Sequence, residues 1–257
     1  MRYPADMHVH STFSCDATYT MEEHVKDAIS NGYRAVCFTE HVDYHPLDEG
    51  RGFYNYDAVS QEIHRLKEIY GHQILILKGI EFGEPHQYPR EFEAYTKRDY
   101  DYILASVHWM GDYFVLDKRL IQEFTPEAIF EKYYRELEAM VRFGGFDAVA
   151  HMDYLRRGTG LDLYSEEQLK AIFSLMVKND IALEINSQNL RRGIEHSFPS
   201  PDKVSLYAQA GGKKVVLGSD GHHAGNLGSG IEQALDACKH IQGLTYGIFM
   251  GRKFTAL

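Results

Sequence analysis

Six of the seven short apolar runs in this chain end in a histidine or a carboxylate, and each run is separated from the next by enough sequence for a helix. The runs are Asp6–Val9, Ala35–Thr39, Ile74–Phe82, Tyr102–Val107, Asp147–Ala150, Ile181–Ile185 and Lys214–Gly218. Apolar runs of this length alternating with helical periods are the pattern of βα units. Strands this apolar are buried on both faces, as in a parallel sheet covered by helices.

Helix signals fill the intervals. Thr20 and Glu23 form a capping box ahead of Met21–Asn31, and Gly32 stops it. Val59, Ile63, Leu66 and Tyr70 make one face of a helix over Ala58–Tyr70. A short helix is expected over Pro89–Lys97, and a hairpin turn at Gly111-Asp112. Thr125 and Pro126 open a helix to Phe143. Ser165, with Gln168 three residues on, opens Glu166–Asn179, whose stripe is Leu169, Ile172, Phe173 and Met176. Ser200 and Pro201 open another, and a last helix covers Gly230–His240 before an apolar tail, YGIFM. No linker, repeat or low-complexity tract interrupts the series. The expectation is one α/β domain over residues 1–257, a closed or nearly closed (β/α)7 barrel.

Composition narrows the function. The formal net charge of −10 argues against a general nucleic-acid binder, which needs a basic face. It leaves a small phosphate ester open as a partner, because only the field inside the pocket matters there. Three cysteines, Cys15, Cys37 and Cys238, make no disulfide framework. Two read as small core residues and one as a loop residue. The segment MRYPADMHVHS has no apolar signal core, and no apolar run approaches the ~18 residues of a membrane span. A cytoplasmic enzyme with no membrane partner is expected; the sequence leaves its oligomeric state open. Fourteen histidines add weight to a metal site.

The run ends supply that site. His8 and His10 end the first run, Glu40 and His41 the second, Glu81 the third, His108 the fourth, His151 the fifth, and Asp220 and His222 the seventh. Parallel barrels build their sites at the carboxyl ends of the strands. Residues i and i+2 of a strand face one way, so His8 and His10 can reach one ion. Glu81 can bridge two ions with its two oxygens. Imidazole and carboxylate ligands suit Zn, Mn or Fe, and two or three such ions sharing a hydroxide would supply a nucleophile at neutral pH. A lone histidine at a strand end is ordinarily a hydrogen-bonded loop residue; nine candidates at one end of the fold outweigh that reading. His24, His45, His64, His72, His86, His196 and His240 are expected on the surface or on helices, and His223 stays open.

The segments MHVHSTFSCD, CFTEHVD, GIEF, SVHW, AHMDY and GSDGHH resemble, in order, the motifs of the PHP (polymerase and histidinol-phosphatase) superfamily. The resemblance covers residues 6–223 and implies a distorted, TIM-like (β/α)7 barrel with two or three divalent metal ions. It implies one ion on His8, His10, Glu81 and Asp220, a second on Glu81, His108 and His151, and a third on Asp16, His41 and His222. Some relatives carry His where this chain has Asp16, beside Cys15.

HMDYLRR and NSQNLR resemble the histidinol-phosphatase branch, with arginines at Arg157 and Arg191 that would hold a phosphate. Arg156 and Arg192 are their immediate neighbours. Family members more often show Thr-Ser-Gly at Ser187-Gln188-Asn189. The implied reaction is hydrolysis of L-histidinol phosphate, in histidine biosynthesis, by attack of a metal-bound hydroxide. Asp16 or His222 would lie near the leaving group, and Glu40 would orient a ligand from behind. Asp43, Tyr44, Phe53, Tyr54, Trp109 and Tyr154 lie on loops at the matching end, with Tyr44 and Trp109 the expected substrate contacts.

Four other readings compete. Another PHP phosphoesterase, acting on a nucleotide or sugar phosphate, would share the ligands and differ in the arginines and loops. A proofreading-type exonuclease conflicts with the acidic charge. An amidohydrolase barrel would have eight strands and lack the bridging Glu81. An inactive binding module would have lost ligands.

Overall fold

The computed structural model describes residues 4–257. Eleven strands follow one another as β1 (Ala5–Val9), β2 (Ala35–Val42), β3 (Leu75–Gly83), β4 (Tyr102–Ser106), β5 (Trp109–Met110), β6 (Tyr113–Phe114), β7 (Ala148–Val149), β8 (Ala182–Asn186), β9 (Lys214–Gly218), β10 (Thr245–Met250) and β11 (Lys253–Ala256). The helices are α1 (Met21–Ser30), α2 (Tyr56–Tyr70), α3 (Pro89–Thr96), α4 (Leu120–Glu123), α5 (Pro126–Phe143), α6 (Leu155–Thr159), α7 (Glu166–Lys178), α8 (Gln188–Arg191), α9 (Pro201–Gln209) and α10 (Ile231–Cys238). No helix among the described residues is long and apolar enough to cross a membrane.

The seven expected runs are seven parallel strands, in the order β1-β2-β3-β4-β7-β8-β9. Their two ends meet. The Asp220 amide donates to the His8 carbonyl at 2.8 Å, and the His10 amide to the Gly221 carbonyl at 2.9 Å. Those two bonds join β1 to the segment leaving β9, at the carboxyl ends of both strands. Runs such as Val36–Phe38 and Ile76–Leu77 are buried because side chains fill the barrel on one face and meet helices on the other. The helices present the stripes that the periodicity dictates: Val59, Ile63 and Leu66 on α2, and Leu169, Ile172, Phe173 and Met176 on α7. Burying each such side chain contributes about 1.5–3 kcal/mol.

The Thr20–Glu23 capping box forms, and the side chains of Thr125 and Ser165 accept the expected amides. Ser200 precedes α9, but its side chain makes no capping bond, so Pro201 alone sets that start. Cys37 and Cys238 are buried, whereas Cys15 is exposed.

Three features depart from the sequence reading. One-turn helices α6 and α8 follow β7 and β8 and carry the candidate arginines. His24 lies on a helix, one of the two places expected, but on the buried face of α1 that packs on the barrel, edge-on to Tyr19 with ring centroids 4.8 Å apart. The apolar tail is a hairpin. Thr245 and Tyr246 of β10 pair in parallel with Lys214 and Val215 at the start of β9, and β10 then turns into antiparallel β11. Its turn reaches the amino ends of β4 and β7: the Arg252 amide donates to the Asp101 carbonyl at 2.9 Å, and Arg252 Nε meets Asp147 Oδ2 at 2.5 Å. The hairpin therefore crosses the end of the barrel opposite the histidines.

Candidate metal centre and phosphate pocket

At the carboxyl end of the strands, one carboxylate faces five imidazoles. Glu81 Oε1 lies 2.8 Å from His151 Nε2 and 3.5 Å from His108 Nε2. Its Oε2 lies 3.2 Å from His41 Nδ1, 3.3 Å from His8 Nε2 and 3.5 Å from His10 Nε2. Asp220 Oδ1 stands 3.6 Å from His10 Nε2, 3.9 Å from His8 Nε2 and 3.3 Å from His222 Nδ1. At the mouth, Asp16 Oδ2 is 3.2 Å from His222 Nε2 and 3.6 Å from His41 Nε2. All nine expected ligand residues thus come together. The His10 ring is sandwiched between His41 and His222, each with its ring centroid 4.2 Å away.

The donor chemistry fits divalent ions. Potential ligand atoms cluster in four overlapping groups: His8–His10–Asp220, His8–Glu81–His151, His41–Glu81–His108 and His10–His41–His222. His8 Nε2 and His10 Nε2 approach to 2.9 Å inside a fully buried site. The buried Nδ1 of His41 has no hydrogen-bond partner although Glu81 is near, the arrangement of two ligands flanking an ion rather than of a donor meeting an acceptor. Burial, with His41 and His222 adding to it, holds His10 well below the ordinary imidazole range, so its lone pair is available. Burial opposes charge on His8, but Glu184, Glu81 and Asp220 outweigh it and raise its pKa well above that range. Burial likewise opposes charge on Glu81, while His8, His108 and His151 drive its pKa well below the usual carboxylate value. Nitrogen and oxygen donors without thiolate suit Zn, Mn or Fe.

A ring of polar side chains fixes these groups from behind. His8 Nδ1 lies 2.6 Å from Glu184 Oε1, and Glu184 Oε2 accepts the His151 amide at 2.8 Å. Asp43 Oδ1 lies 3.2 Å from His108 Nδ1. Glu40 reaches the candidate ligand His10 through Ser14. It accepts the Ser11 and Ser14 hydroxyls at 2.6 and 2.5 Å, and Ser14 Oγ contacts His10 Nδ1 at 3.3 Å. Glu184 escapes the sequence reading, although a carboxylate inside the apolar run IALEI is its signal. Asp43, a candidate contact for a substrate amine, lines the cavity and also contacts the candidate ligand His108.

The centre opens into a cavity of about 690 Å³. Arg157, Arg191 and Arg192 line it, with Gln188, Tyr154, Trp109 and Phe114. Arg157 donates to Gln188 Oε1 at 2.9 Å and to the Tyr154 hydroxyl. Its neighbour Arg156 turns away to Asp153 and Asp162, at 3.1 and 3.4 Å. Trp109 stacks on His45 with centroids 4.0 Å apart and donates its indole N–H to Asp48 Oδ2 at 2.7 Å. His45 is therefore buried behind Trp109, not superficial. Tyr44 lies outside the cavity, stacked on Phe82 and close to Tyr88 and Tyr95, because its side of the loop faces the helix layer. Phe53 is exposed and Tyr54 is tied to Tyr100, so neither lines the cavity. Cys15 and His223 do line it. Burial, first, and Asp16, next, push the Cys15 thiol up to about 11.

A seven-stranded parallel barrel with a buried imidazole–carboxylate centre defines a metal-dependent hydrolase architecture. The PHP domain family profile matches residues 6–188, and the chain belongs to that family. It is 31% identical over 229 residues to a histidinol-phosphatase of Lactococcus lactis, covering 85% of this chain and 84% of that one. It is 26% identical to a histidinol-phosphatase of Bacillus subtilis, covering 91% of this chain and 98% of that one. The crystal structure of the Lactococcus lactis histidinol phosphate phosphatase, complexed with zinc, L-histidinol and phosphate, superposes with a TM-score of 0.85. That match has 27% identity and covers 98% of both chains.

Proposed function

We propose that this protein hydrolyses L-histidinol phosphate to L-histidinol and phosphate, as a single domain spanning residues 1–257. The observation that carries the reading is one cavity holding both the Glu81-centred ligand cluster and a wall of three arginines. The bound histidinol and phosphate of the Lactococcus lactis structure support the choice of ester.

The proposed assignment puts one ion on His8, His10, Glu81 and Asp220, a second on Glu81, His108 and His151, and a third on Asp16, His41 and His222. When bound, such ions lower the pKa of water and neutralise charge on a phosphoryl group. Arg157 and Arg191, joined by Arg192, face the phosphate oxygens and stabilise charge that grows on them in the transition state. Trp109 and Phe114 offer an apolar wall to the leaving group, near the Asp48 carboxylate. His222 and Asp16 stand at the mouth, where the leaving alkoxide needs a proton. Burial opposes charge on Asp16, but hydrogen bonds from His222 and His41 outweigh it and keep Asp16 ionised. A soluble metabolite as substrate supports a cytoplasmic enzyme.

The test is phosphate release from histidinol phosphate, a nucleotide monophosphate, a sugar phosphate and a single-stranded oligonucleotide, on chelated protein restored with Zn, Mn or Fe. A preference of at least ~100-fold in kcat/KM for histidinol phosphate, about 2.7 kcal/mol, supports the reading. Equal or better turnover of another ester would replace the substrate and keep the centre.

A further inference from the structure

Arg191 does not simply face the cavity. Its Nη1 donates to the Ser219 carbonyl at 2.8 Å, and its Nη2 to the Asp220 carbonyl at 3.1 Å. Both prongs of the fork are thus committed to the backbone of the turn that carries two candidate ligands. That turn is strained. Asp220 has φ of +54°, a left-handed conformation that side chains other than glycine adopt at a cost. The Asp220 carbonyl also sits 3.0 Å from His222 Nδ1. A carbonyl only accepts, so this contact puts the proton on Nδ1 and leaves Nε2 of His222 facing Asp16. From below, Asp6 accepts the Ser219 amide at 2.9 Å and the Gly228 amide at 2.8 Å. From the side, the Asp220 amide donates to His8 at 2.8 Å.

Of the groups that hold the turn from outside it, Arg191, Asp6 and His8, Arg191 is the one whose side chain also lines the phosphate pocket. We infer that Arg191 is a positioning residue for the metal centre: its fork locks the Ser219-Asp220 turn so that Asp220 and His222 keep their ligand geometry. In the same pocket, Arg157 donates through Nη1 to Gln188 and Tyr154, neither of which is a candidate ligand. Two arginines that look equivalent in the sequence therefore have separable duties. Loss of Arg157 acts on phosphate alone; loss of Arg191 acts on metal retention as well. The inference rests on the proposed ligand roles of Asp220 and His222.

The experiment compares metal affinity, by chelator competition with zinc and manganese and without substrate, in the native protein, Arg157→Ala, Arg191→Ala and Arg191→Lys. Arg191→Ala is expected to lose about 10- to 100-fold in affinity for at least one ion, the range seen when groups that orient a ligand are removed. Arg157→Ala is expected to stay within about twofold of native in metal affinity while inorganic phosphate inhibits it more weakly. Arg191→Lys keeps the charge but cannot serve two carbonyls with a planar fork, so it is expected to lose affinity too. It decides the matter if Arg191→Ala does not fold, which circular dichroism of the chelated protein reports. Native-like metal affinity in the folded Arg191 variants, or equal losses in the Arg157 and Arg191 variants, overturns the inference. Failure of the native protein to bind metal would instead overturn the ligand assignment, and this inference with it.

Discussion

Glu184 Oε1 stands 2.6 Å from His8 Nδ1, while its other oxygen accepts the His151 amide at 2.8 Å. One carboxylate on β8 thus contacts one candidate ligand on β1 and another just beyond β7. Both contacts need an acceptor: the His151 amide can only donate, and His8 must carry its proton on Nδ1 if Nε2 is to bind an ion. Glutamine has a single acceptor oxygen, so Glu184→Gln satisfies one neighbour and sets an N–H against the other. We predict a 10- to 100-fold loss of metal affinity in Glu184→Gln, as for other carboxylates that orient a ligand histidine. Chelator competition measures it, and unchanged affinity would show that backbone position alone holds His8.

Glu81 turns one oxygen to the His151 ring and the other to the His8 ring. Glu81→Gln keeps the volume but removes the charge that offsets clustered imidazoles and metal ions. Metal-ion stabilisation is worth several kcal/mol, so a loss on the order of a thousandfold in kcat/KM is expected. Steady-state kinetics with excess metal checks it; a loss under tenfold would remove Glu81 from the centre.

The centre is legible in the sequence because all its candidate ligands but Asp16, which only the family resemblance supplies, end apolar runs, and a strand's period of two makes His8 and His10 a pair from spacing alone. The pocket walls are less so. Arg156 and Arg157 are adjacent on a one-turn helix, and their division of labour is set by Asp153 and Asp162, the second of which belongs to no motif. Tyr44 and Trp109 look alike as loop aromatics, yet packing against Phe82 draws one of them away. The tail hairpin is hidden by its turn. Gly251 and Arg252 both take positive φ, +51° and +64°, and the second is arginine where a tight turn of this kind favours glycine.

Separating the two aromatics gives a direct check on the pocket. Trp109→Phe keeps a ring but frees the Asp48 carboxylate that the indole N–H holds at 2.7 Å. A lost hydrogen bond to a charged group is worth about 1.5–3 kcal/mol, so KM for histidinol phosphate is expected to rise roughly tenfold. Tyr44→Phe, outside the cavity, is expected to leave kcat and KM within about twofold. A larger kinetic effect at Tyr44 than at Trp109 would reverse this placement.

Chelation is expected to abolish activity and to lower thermal stability. Ions that bind only the folded chain stabilise it by about 4 kcal/mol at a thousand times Kd, or roughly 10 °C for a domain of this size. Thermal melts with and without chelator, and with excess zinc restored, measure the shift. An unchanged melting temperature would mean that the clustered histidines and carboxylates bind no ion tightly.

The carboxy-terminal hairpin allows stability and activity to be changed separately. Phe249 is buried and stacks on Tyr102 with centroids 5.3 Å apart, at the barrel end opposite the metal centre. Truncating a buried phenylalanine costs about 3–5 kcal/mol through lost transfer energy and the cavity left behind. Phe249→Ala is therefore expected to melt well below the native protein. The candidate ligands are positioned by strand ends and by Glu184, Asp43 and Glu40, which lie at the other end of the barrel from the hairpin. Activity per folded molecule, measured well below the melting point, is expected to stay within about twofold of native. A selective loss of kcat at a temperature where the variant is fully folded would show that the two ends of the barrel are coupled.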